Sequence, residues 1–83
     1  MKINNLSQLK KHLIVGTEII SKFPNQAPQK RTVTKKQTNG VYMLTERGTN
    51  SFCDLDCAKD WKFLTGNIAQ LFLGDDLAVT YYL

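Results

Sequence analysis

Cys53, Cys57 and the single His12 are the side chains of this 83-residue chain best suited to hold a metal. Zinc binds thiolate sulfur and imidazole nitrogen readily, and Cys53-x3-Cys57 falls within the C-x2-to-4-C spacing of structural sites. A cysteine at a strand end, followed by one in the first turn of a helix, can aim two sulfurs at one ion. His12 would then fold over from an N-terminal helix. The fourth ligand would be Asp54, Asp56, Asp60, water or a neighbouring molecule. The competing reading is that both cysteines are small buried hydrophobes, the ordinary role of a free cysteine. A zinc here would be structural, because so short a chain has little core to spare.

Catalytic readings find less support. A cysteine at a helix start can have a lowered pKa, but its only candidate base, His12, is remote in sequence. Asp54, Asp56 and Asp60 suit capping and solvation more simply than acid–base work. Gly40, Gly48, Gly66 and Gly74 are isolated turn or helix-end glycines rather than a phosphate-binding loop. The chain reads as non-enzymatic.

A third group is basic. Residues 1–36 hold eight Lys or Arg against one acid, Glu18, while residues 37–83 hold three against six. Lys30, Arg31, Lys35 and Lys36 lie close together in this basic half and form a candidate surface for a protein partner or for nucleic acid. Small barrels that bind single strands combine such charge with stacking aromatics. Here Phe52, Trp61, Phe63, Phe72, Tyr81 and Tyr82 fall in the acidic half, and only Phe23 and Tyr42 are near the basic arm. A solvated lysine face is the simpler account.

The elements that must position these residues follow from pattern. Asn5 is a competent cap for a helix carrying Leu6, Leu9 and Leu13 on one face and ending before Gly16. Thr17–Phe23 is β-prone and stops at Pro24, and residues 24–29 form a loop. Lys30–Thr38 predicts a second strand, so polar that it belongs at a sheet edge. Asn39-Gly40 suits a type I′ turn into an apolar strand, Gly40–Thr45. Ser51–Leu55 predicts a fourth strand. Asp56 then caps a second helix, with Cys57, Trp61 and Leu64 on one face and Gly66 closing it. Ile68–Leu73 and Leu77–Leu83 form a hairpin about Gly74-Asp75-Asp76. The expected fold is α+β, a single domain over residues 1–83. It has a short N-terminal helix, a small antiparallel barrel or curved sheet of about six strands, and one inserted helix.

Composition sets the outer limits. A 42% hydrophobic, 22% charged chain is ordinary for a folded protein. No apolar run approaches the ~20 residues that cross a bilayer, and the amino-terminal stretch lacks a signal-peptide core, so the expected location is the cytoplasm. A net charge of +4 permits acidic partners without requiring them.

The helix leading into LIVGTEI, the KRTVTKKQTNGVYML hairpin and the SFCDLDCAKDW step together resemble small proteins carried by phages and prophages of Gram-positive bacteria. Among these the chain is similar to phage anti-CRISPR proteins that inhibit the RNA-guided nuclease of type II systems, some of which contain zinc. The resemblance implies a stoichiometric inhibitor in the host cytoplasm that binds a large protein and blocks loading of target DNA. It further implies a metal that holds the small fold together, with Cys53 and Cys57 the matching residues.

Overall fold

The computed structural model describes residues 3–56 and 60–83. One short helix, α1 (Leu6–His12), precedes seven strands: β1 (Glu18–Lys22), β2 (Gln29–Gln37), β3 (Gly40–Thr45), β4 (Asn50–Asp54), β5 (Asp60–Leu64), β6 (Ile68–Leu73) and β7 (Asp76–Tyr82). All seven pair antiparallel in one sheet, in the order β4-β3-β2-β1-β7-β6-β5. The fold is therefore mostly β, and the expected α+β architecture is corrected on three points. There are seven strands, the sheet does not close into a barrel, and residues 60–64, expected in an inserted helix, form β5.

The correction at β5 has a local cause. Asp60-Trp61-Lys62-Phe63-Leu64 alternates large apolar and polar side chains through Phe63, and Trp and Phe favour a pleated, half-buried surface. Trp61 and Phe63 face the core, opposite Leu71 and Ala69 of β6. The helical spacing of Cys57, Trp61 and Leu64 was a coincidence of three positions. Leu64 points away from the core and is 43% exposed, and Cys57 lies outside the described residues.

β2 is not at an edge: it pairs with β1 on one side and β3 on the other. Its lysines are accommodated because only one face of the sheet is covered, so an internal strand needs just one buried residue, Val33. The β2–β3 turn also differs from expectation. Gln37 pairs with Gly40, so the two loop residues are Thr38 and Asn39, and neither they nor Gly40 has a positive φ. Gly40 is instead the first residue of β3. A Cβ there would lie 2.2 Å from the Cys53 carbonyl oxygen and 2.7 Å from the Phe52 ring, so glycine is required by close approach of β4.

Chain length compels the sheet to curl. Its edges β4 and β5 are consecutive in sequence, and the six Cα steps from Asp54 to Asp60 reach at most about 22 Å. A flat seven-strand sheet would hold its edges about 29 Å apart. Curling also brings β4 over β7, four places away in pairing order, with Cys53 Sγ 3.3 Å from the Tyr81 hydroxyl.

The concave face is the core, and α1 plugs one end of it. Asn5 caps the helix by accepting the Gln8 N–H at 2.9 Å, and Leu9 and Leu13 are buried in the same core cluster as Val33, Val41 and Met43 of the sheet. Lys10 pairs with Asp56 after β4, and the Lys36 ammonium donates to the Lys10 carbonyl near the helix C-terminus. Among the described residues, no helix lies over the other end of the curl.

Candidate functional site

At that open end lies a cleft of about 370 Å³ whose walls include Phe23, Leu71, Leu73, Ala78 and Val79. Into it project the polar side chains of inward-facing positions: Arg31 on β2, Ser51 and Cys53 on β4, and Tyr81 on β7. The alternation that places Ile19 and Val33 in the core puts Ser21 and Arg31 on the same face, farther along toward the mouth.

Arg31 is held in place from three sides. Its Nε–H donates to Ser21 Oγ at 2.7 Å, and Nη1 donates to Ser51 Oγ at 3.3 Å. Its guanidinium carbon sits 5.4 Å from the centre of the Phe23 ring, a cation–π arrangement. Ser21 is itself buried and donates onward to the Gln29 carbonyl. None of the ion pairs formed among the described residues involves Arg31. Beside it, burial raises the Tyr81 phenol far above its ordinary value; the Cys53 sulfur adds to the rise, while the Arg31 charge opposes it.

The structure separates the four basic residues that stand close together in sequence. Lys30 and Lys35 leave the convex face. Lys30 pairs with Glu18, which raises its pKa chiefly through their hydrogen bond, and Lys35 lies over the Tyr42 ring, 5.9 Å from its centre. Arg31 faces the cleft, and Lys36 turns to the end of α1. The bulge between Val33 and Lys35 contributes to this division by shifting the register there.

The metal candidates are not assembled into a site among the described residues, where no three His, Cys, Asp or Glu side chains converge. Cys53 faces Tyr81 in the cleft wall and His12 closes α1, while Cys57 is outside the described residues. Metal content decides the matter. One zinc per chain, lost in Cys53→Ser, is what the two-cysteine reading requires; zinc-free protein of unchanged melting temperature removes it.

The convex face holds a feature that periodicity alone did not reveal. Ile20 pairs with Tyr82, Tyr82 with Ile68, and Ile68 with Leu64, which makes one apolar row across β1, β7, β6 and β5. Ile20, Tyr82 and Leu64 are 37%, 44% and 43% exposed. The row was hidden because it exists only through strand pairing; in the sequence its members are scattered from residue 20 to residue 82.

No family model, curated protein or solved structure matches this chain. Among the described residues, no helix is long and apolar enough to cross a membrane.

Proposed function

We propose that this chain is a non-enzymatic binding protein that inhibits a host protein by occupying its surface, as the resemblance to phage-borne inhibitors implies. The observation that supports a protein partner is the row Ile20–Tyr82–Ile68–Leu64, exposed at Ile20, Tyr82 and Leu64 and half-buried at Ile68. An antiparallel sheet with one solvated face ordinarily alternates apolar inside and polar outside. This row breaks that rule over four strands, about 14 Å at ordinary strand spacing, and contiguous exposed apolar surface of this kind marks interaction sites. It is flanked by the polar row Lys22–Thr80–Gln70–Lys62, giving an apolar stripe with a polar border.

A type II RNA-guided nuclease is the first partner to test, on the strength of the resemblance. The protein is titrated into guide-loaded nuclease and DNA cleavage is measured. The expected result is inhibition that saturates at about one chain per nuclease, weakened at least about tenfold by Tyr82→Lys or Leu64→Lys. Both positions are solvent-exposed, so circular dichroism should show an unchanged fold. Absence of inhibition by the unmodified protein removes this partner, and undiminished inhibition by both variants removes the surface.

A further inference from the structure

The cleft on the opposite face carries its own chemistry, independent of the convex row. An arginine has five N–H donors. In Arg31 two of the five are engaged, by Ser21 and Ser51, and the other three have no partner among the described residues. The group is half-buried and lies over the Phe23 ring, and neither ion pair formed among the described residues includes it. Asp54, the one acid among the described residues that line the cleft, accepts the Asp56 N–H at 2.9 Å. A second charged groove, lined in part by Glu18, Lys30 and Glu46, differs in this respect because its lysine is already paired.

A planar cation oriented by two hydroxyls and one ring, with donors to spare, matches a carboxylate in geometry and charge. One side of the cleft is apolar: Leu71, Leu73, Ala78 and Val79 form walls there, while Ser51, Asp54 and Tyr81 line the polar side. Its volume lies at the lower end of the range for small-molecule sites. The geometry points to a binding site for a small monocarboxylate with an apolar tail, the acid on Arg31 and the tail along Leu71 and Leu73. Leu73, 51% exposed at the mouth, is covered when the tail is in place. The Tyr81 hydroxyl, 3.3 Å from Cys53 Sγ, is protonated at neutral pH and stands on the polar side of the cleft as a further donor.

The probes are octanoate, octanamide and inorganic phosphate, titrated into the full chain and followed by calorimetry and by the NMR shift of the Arg31 Nε–H. Octanoate should bind at least about tenfold more tightly than octanamide, which keeps the tail and loses the charge. It should also exceed phosphate, which keeps charge and loses the tail. Arg31→Gln should reduce octanoate binding to the octanamide level. Octanoate that fails to bind at ~10 mM, below any useful affinity, overturns the inference, as does octanoate bound no better than either control. Should Arg31→Gln not fold, the three-probe comparison and the Nε–H shift on unmodified protein decide alone.

Discussion

Tyr81 joins the cleft to the stability of the whole chain. Its phenol is raised above the ordinary value of about 10, chiefly by burial, then by the adjacent Cys53. The unfolded phenol ionises near pH 10 while the folded one keeps its proton, so above pH 10 the unfolded state binds fewer protons. Stability is then fully present below pH 10 and is lost as pH rises further, at up to about 1.4 kcal/mol per pH unit from this group. Urea denaturation between pH 9 and 11 should show that slope in the unmodified protein and a shallower one in Tyr81→Phe. An equal slope in both would refute the assignment. Gly40 makes a different demand. Because an added Cβ would meet the Cys53 carbonyl at 2.2 Å, Gly40→Ala must push β4 away from β3, at a cost of about 1–3 kcal/mol. Thermal denaturation should show a melting temperature lower by about 5 °C or more. The sequence marks Gly40 as special but suggests the wrong reason, since a turn glycine and a close-approach glycine are the same letter.

Among the elements, β5 is the one most misread and the one most easily tested. Trp61 stacks on Phe63 and Tyr81, with ring centres 6.2 and 6.1 Å apart, and its buried indole N–H lacks a partner among the described residues. Trp61→Ala removes the packing and should cost about 2–4 kcal/mol. Trp61→Phe keeps an aromatic ring and deletes an unpartnered buried donor, so the two effects oppose each other and the net change should stay within about 1 kcal/mol. Equal losses in both variants, measured by urea denaturation, would count against this packing. For α1 the sequence signal was strong: Asn5 as cap and leucines at helical spacing are local features, and local features determine a seven-residue helix directed at a core. The charge run on β2 was legible as a strand but not as an internal one. Strand order is set by partners distant in sequence, and one apolar residue, Val33, suffices when the convex face is open.

At the scale of the molecule, curvature does most to define the candidate sites. It closes Cys53 onto Tyr81, aims Arg31 into a cleft and leaves the lysines of the same arm on other surfaces. Nucleic acid that tracked the basic arm would need those charges on one side. With the arm divided and Lys30 paired to Glu18, no measurable binding to single- or double-stranded DNA is expected at ~50 mM salt in a fluorescence titration. Binding at low salt that falls steeply as salt rises would restore the nucleic-acid reading.

From the sequence alone came the capped N-terminal helix, the positions of six of the strands and the division of charge between the two halves of the chain. These are written locally, in caps, apolar alternation and turn residues. The tertiary structure decided the seventh strand, the strand order, the exact use of Gly40 and the two candidate surfaces. The physical reason is that a strand's neighbours and the curl of a sheet follow from hydrogen bonding and chain reach across the whole molecule. Residues 31, 51 and 81 meet in one cleft, and residues 20, 64, 68 and 82 in one row, only after every strand between them has paired.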